Sequence, residues 1–138
     1  MDMRIEALVL GVTDVDRAKA FYEQMGFNCD VDHKMGEDFR VVQFTPPGSD
    51  ASIIFGTGLG EAKPGGVQGL YLCVDDIEEA LAELKQRGID ANGPFHFGPE
   101  GQTPGLDPQR QKYGSFANFS DPDGNGWLFQ EVDRRQEQ

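Results

Sequence analysis

Leu10 to Phe27 reads Leu-Gly-Val-Thr-Asp-Val-Asp-Arg-Ala-Lys-Ala-Phe-Tyr-Glu-Gln-Met-Gly-Phe, and Leu72 to Ile89 reads Leu-Cys-Val-Asp-Asp-Ile-Glu-Glu-Ala-Leu-Ala-Glu-Leu-Lys-Gln-Arg-Gly-Ile. At one constant offset Val12 matches Val74, Asp14 matches Asp76, Val15 matches Ile77, Ala18 matches Ala80 and Gly26 matches Gly88. The chain is therefore written twice, in units of roughly 60 residues. A second echo, Phe44 and Pro47 with Phe119 and Pro122, has a larger offset and places about 13 extra residues inside the second copy. A ligand pocket is expected where the two copies meet.

Each copy has the same local grammar. Arg4 to Gly11 is an apolar strand candidate, and Asp14 follows as a helix cap whose carboxylate accepts backbone N–H bonds. Val15, Ala18, Phe21, Tyr22 and Met25 recur at spacings of three and four, one face of a helix that Gly26 ends. Strands are then predicted near Asn28 to His33, Phe39 to Thr45 and Ser52 to Gly56, separated by turn-forming segments. In the second copy a strand at Gly69 to Val74 leads to an Asp76-capped helix ending at Arg87 and Gly88. Ile89 to Phe97, Gly114 to Phe119 and Trp127 to Val132 supply its remaining strands. The segment 98–112, with three prolines and three glycines, reads as a loop that holds the insertion, either a functional lid or disordered. Asp133 to Gln138 reads as a frayed polar tail. The pattern is βαβββ twice: module one over about 4–56, a linker at 57–66 and module two over about 67–132, within one domain covering 1–138.

Composition narrows the function. With 12 basic and 24 acidic residues the net charge is −12, which repels nucleic acid and anionic membrane alike and would concentrate a cationic small molecule. No apolar run approaches a membrane span and no secretory signal layout is visible, so a cytoplasmic protein is expected. Cys29 and Cys73 have no framework, metal-knuckle or redox spacing, and both are expected to be reduced thiols.

The segments 12–27, Val-Asp-Asp-Ile-Glu-Glu-Ala at 74–80 and Ser-Asp-Pro-Asp-Gly-Asn-Gly-Trp at 120–127 resemble the vicinal oxygen chelate superfamily, which includes glyoxalase I, bleomycin-resistance proteins and extradiol dioxygenases. The resemblance covers almost the whole chain. It implies an α+β fold in which paired βαβββ modules form a curved mixed sheet around a cavity, commonly within a homodimer. The Asp-Pro-Asp-Gly-Asn-Gly segment itself reads as a tight reversal between strands; Pro122 and the lack of a bidentate glutamate argue against a calcium loop.

Enzymes of that family hold a divalent metal with His, Glu or Gln on the first and fourth strands of each module. The resemblance places those positions on Ala7, Ile54 (or Ile53), Gly69 and Leu128, none of which has a side-chain donor. A slip of one residue brings in Glu6 and Gln68 but pairs them with Ile53 and Trp127, and turns each strand over. His33 and His96 fall on no ligand position and read as solvated polar residues. No metal and no other cofactor is expected.

Without the ion, the family's electrophilic chemistry is not available. The leading expectation is a metal-free small-molecule binding protein of the bleomycin-resistance type, taking a neutral or cationic organic ligand against Ala7, Ile54, Gly69, Tyr71, Leu128 and Gln130. The alternative is a metal-free enzyme of the superfamily, of lyase, isomerase or dioxygenase type. Strand alternation sends Val9 and Cys73 to the same face as these residues, where only Tyr71, Cys73 and Gln130 offer acid–base or nucleophilic groups. A third possibility is a ligand that brings its own metal. Phe119, Trp127 and Phe129 are read first as packing beneath the helices and second as an aromatic wall; Arg40 is read as an ion-pair partner or an anion contact.

Overall fold

A computed structural model describes residues 1–132, so the expected tail at 133–138 lies outside the described residues. The elements follow the order β1 (Ala7–Val9), α1 (Val15–Gln24), β2 (Asn28–Met35), β3 (Phe39–Thr45), β4 (Ser52–Thr57), β5 (Leu70–Val74), α2 (Ile77–Gln86), β6 (Asn92–Gly98), β7 (Gly101–Pro104), β8 (Phe116–Ser120) and β9 (Gly126–Glu131). The fold is α+β and the doubled grammar is preserved. The strands form two mixed sheets, one to each module, in the orders β1-β4-β3-β2 and β5-β9-β8-β6-β7. One expectation needs correction. The segment 98–112 is not all loop: Gly101–Pro104 returns antiparallel on β6, with Gly98 opposite Gly101. Four residues of the segment thus become an edge strand, because backbone pairing satisfies peptide groups that a free loop would leave to water.

The chain divides into two compact units, residues 1–68 with 121–125, and residues 69–120 with 126 onward. In the first, β1 runs parallel to β4, with Val9 opposite Ile54, and β4, β3 and β2 continue antiparallel. The Asp14 carboxylate accepts from the Arg17 amide and starts α1, and Gly26 at φ 85° lets the chain leave it. Only Ala18 and Tyr22 of the helix are fully buried; Tyr22 packs among Phe27, Phe44 and Phe55 with ring centroids 5.6, 6.0 and 5.7 Å away. Leu10, Val42 and Ile53 complete this core.

The turn 121–125 belongs to this same unit, with Asp121 and Asn125 buried. Asp121 Oδ1 accepts from the amides of Asp123 and Asn125, as the Asp-x-Asp-x-Asn spacing suits, and the Asn125 side chain donates to the Gly11 carbonyl at 3.0 Å. Thr13 donates to Asp123 Oδ1 through both its amide and its hydroxyl.

In the second unit β5 runs parallel to β9, placing Tyr71 opposite Leu128 and Cys73 opposite Gln130. Asp76 caps α2 by accepting from the Glu78 and Glu79 amides. Ile77 and Leu84 of that helix are buried, and the core includes Ile89, Phe119, Trp127 and Phe129. Phe119 lies opposite Trp127 in the ladder with the rings nearly parallel, 6.2 Å between centroids. These aromatics are core, as the packing reading expects, because alternation turns them away from Leu128 and Gln130.

Candidate ligand-binding site

Each sheet has one face packed on its helix and one that is not. In the first unit Ile53 and Phe55 take the packed face, so Ile54 turns to the other, beside Val9 and in line with Ala7. At the end of this open face lies a cavity of about 340 Å³ lined by Val9, Gly11, Thr13, Val15, Gly56 and Leu59, among others, with the linker at 57–62 arching along it. Two glycines allow that approach: a Cβ on Gly11 would stand 2.3 Å from the Lys63 carbonyl, and one on Gly58, already at φ 76°, 2.5 Å from the Asp38 oxygen.

In the second unit the open face carries Tyr71, Cys73, Leu128 and Gln130. The row through Cys73 and Gln130 continues to Phe116 on β8 and Phe95 on β6. Phe95, Phe97 and Phe116 form a mutually packed trio, stacked between Phe95 and Phe116 and edge-on at Phe97, with centroid separations of 5.3 to 5.9 Å. Tyr71 is 58% exposed and Phe97 60%. Gly69, at φ 77°, precedes β5 and has no side chain to line the face.

Sequence reasoning directs Ala7, Ile54, Gly69, Tyr71, Leu128 and Gln130 toward one ligand site; the registers within each sheet set Val9 beside Ile54, Tyr71 beside Leu128 and Cys73 beside Gln130. It missed three contributors. The cavity under 57–62 arises from a linker with no periodic signal. The Phe95 and Phe97 pair could have been found by extending alternation into β6, and Phe116 from its register opposite Gln130. Tyr113 lay hidden in what read as loop; it is 53% exposed at φ 64°. Its amide donates to the Glu131 carbonyl and its own carbonyl accepts from Gln130 Nε2 at 3.2 Å.

Beside this edge sits an ionic clasp. Arg110 donates from Nε and a terminal nitrogen to the two Glu131 oxygens, each at 2.7 Å, and Glu131 also accepts from the Ile77 amide at the start of α2. The Arg110 guanidinium holds the buried Glu131 carboxyl below its ordinary range, outweighing the desolvation that pushes the other way. Arg40 makes a comparable fork onto Asp32 and adds Asp16 at 2.7 Å, so it serves as an ion-pair partner. His96 Nδ1 donates to the Gly105 carbonyl, and His33 is exposed on β2. Cys29 and Cys73 are free thiols.

The four positions marked for metal ligands offer a methyl group, two aliphatic chains and a glycine, a donor set that does not fit a divalent ion. The slipped register fits no better: Gln68 Nε2 is committed to the carbonyls of Gly65 and Gly124, and Trp127 is buried. Among the described residues no three His, Cys, Asp or Glu side chains are grouped so as to hold a metal. No helix among them is long and apolar enough to cross a membrane.

Comparison with known proteins agrees with this architecture. TnmS3, an antibiotic binding protein from Streptomyces sp. CB03234, is 30% identical with a TM-score of 0.74, over 95% of this chain and 97% of that one. A glyoxalase/bleomycin resistance protein from the same organism is 31% identical with a TM-score of 0.70, over 93% and 100% of the two chains. YetH of Bacillus subtilis (strain 168), an uncharacterised protein, is 24% identical over 95% of this chain and all of its own length. The family model for the Glyoxalase/Bleomycin resistance protein/Dioxygenase superfamily matches residues 4–129, and the chain belongs to that superfamily.

Proposed function

We propose that this chain is a metal-free member of its superfamily that binds and sequesters a neutral or cationic organic molecule of the antibiotic kind, without transforming it. The observation that carries the reading is the content of the ligand positions: Ala7, Ile54, Gly69 and Leu128 leave room where metal ligands would project. The surrounding open faces offer apolar side chains with a few hydrogen-bonding groups, the mixture usual in small-molecule sites. Similarity at 30% identity to an antibiotic binding protein supports the same reading. Tyr71 and Gln130 supply polar contacts, and the segment 98–112 borders the site. The net charge of −12 favours approach of cations. We further propose one functional domain over 1–138, working in the cytoplasm as a homodimer. Interleaving of the turn 121–125 with the first module supports the former, and the exposed apolar side chains of edge strands β1 and β2 support the latter.

The test has two parts. Elemental analysis of purified protein is expected to find less than stoichiometric zinc, nickel, iron or manganese; one tightly held ion per chain would overturn the metal-free reading. A thermal-shift panel of cationic glycopeptides, aromatic metabolites and thiol conjugates is expected to give at least one concentration-dependent stabilisation. Calorimetry on Ala7→Phe, which fills the proposed space, should then show lost affinity in a folded protein. Turnover of the bound molecule that disappears in Gln130→Ala while binding survives would replace sequestration with metal-free catalysis.

A further inference from the structure

Resting on the binding reading above, we infer that the open face of the second sheet takes a flat aromatic ring system, stacked between the Phe97–Phe116 corner and Tyr113, and that Arg110 positions Tyr113 through Glu131. Arg110 and Tyr113 are the non-glycine residues with positive φ among the described residues, at 49° and 64°. A bulky side chain pays a conformational cost there, and it persists only where the surroundings impose it. Here the imposing contacts are visible. Arg110 is forked onto buried Glu131, the Tyr113 amide bonds to the carbonyl of that same residue, and the Tyr113 carbonyl receives the Gln130 amide. The four residues 110 to 113 are thereby tied to two consecutive residues of β9, and a large aromatic side chain is left half exposed.

The sheet face next to Gln130 is aromatic as well. Phe116 lies directly across the ladder from Gln130, and Phe97 meets Phe116 edge-on at 5.3 Å while keeping most of its own surface in solvent. Exposed aromatic faces next to one another are costly in water and favour a π-surface as occupant, since stacking adds to simple burial. The row carries no charge: its members are Cys73, Gln130, Phe116 and Phe95. Gln130 keeps one amide oxygen that can accept a hydrogen bond, which suits a ring bearing a hydroxyl or N–H. The occupant is thus a planar, uncharged, hydrogen-bond-donating polycycle rather than a saturated or anionic one.

The probes are 2-naphthol and its saturated counterpart decahydro-2-naphthol, titrated into the full chain and followed by amide NMR and calorimetry. The expected result is at least about ten-fold tighter binding of 2-naphthol, with ring-current shifts at Phe97, Phe116, Tyr113 and Gln130. Tyr113→Gly suits the observed φ and removes the ring without strain; it should lose about ten-fold in affinity while Tyr113→Phe retains it. Arg110→Lys, which cannot make the fork, should weaken 2-naphthol binding and shift the Tyr113 amide resonance in the unliganded protein. Equal affinity for the two probes, shifts located elsewhere, or full affinity in Tyr113→Gly would each overturn the inference. Binding of other panel molecules with none of 2-naphthol would overturn it too, while leaving the sequestration reading in place.

Discussion

The Tyr22 hydroxyl donates a 2.8 Å hydrogen bond to Asp121 Oδ2, joining residues 99 positions apart in a buried site. Helix α1 is thereby fastened to the turn 121–125 within the first compact unit. Asp121 accepts from Tyr22, from the Asn125 side chain and from two turn amides, so its carboxylate satisfies four donors at once. Without it the amides of Asp123 and Asn125 would lose this acceptor, and an unmet buried donor costs more than a made bond contributes.

Asp121→Ala is therefore expected to destabilise the protein by about 3–5 kcal/mol, and Tyr22→Phe by about 1–2 kcal/mol, since the latter removes one donor and keeps the ring packing. Urea denaturation of the two variants measures both. Equal effects would show that the single bond from the Tyr22 hydroxyl, and not the turn amides, accounts for the contribution of Asp121.

The clasp at Glu131 makes stability depend on pH. Arg110, and the Ile77 amide after it, lower the carboxyl in the folded state relative to an ordinary value near 4.5. The stabilisation is fully present above that value and is lost as pH falls through the depressed folded-state pKa. Glu131→Gln is expected to be less stable at neutral pH and to show a flatter loss below pH 4.5. Thermal melts between pH 2 and 7 check the slope; a slope unchanged by the substitution would remove Glu131 from the account.

Legibility in the sequence followed how local each signal was. Both helices, their aspartate caps and the β3 strand could be read because capping and periodicity act within a few residues. The separation into two sheets and the return of β7 onto β6 depend on pairings between distant or glycine-rich segments, and residues such as Gly98 and Gly101 signal a turn without saying what it joins. Alternation assigned Ile54, Tyr71 and Gln130 to open faces because a strand's period of two is nearly exceptionless. Tyr113 was illegible: its position comes from the distant partners Glu131 and Gln130.

Gly11 should tolerate no side chain. A Cβ there would lie 2.3 Å from both the carbon and the oxygen of the Lys63 carbonyl and 2.6 Å from the Ala62 oxygen, backbone atoms bridged to Gly11 through Pro64. Gly11→Ala is expected to displace the linker and cost about 2–3 kcal/mol, in the range of overpacked sites. Hydrogen exchange should accelerate at residues 62–66, while Gly48→Ala, an open turn position, should leave those amides unchanged.

Edge strand β1 offers the sharpest test of the proposed homodimer. Leu8 and Val9 point to opposite faces of the strand, yet both stay exposed, at 46% and 44%. A strand paired only with β4 has one row of backbone groups unpaired. Apolar side chains on both sides of a free edge favour coverage by another copy of the chain. Leu8→Asp keeps the β4 pairing but places a charge on that surface. It is expected to raise the dimer dissociation constant at least about ten-fold, equivalent to about 1.4 kcal/mol, with the folded circular dichroism spectrum retained. Sedimentation equilibrium over a micromolar range measures it. A wild-type monomer throughout that range would refute the dimer, and an undiminished dimer in Leu8→Asp would move its interface away from β1.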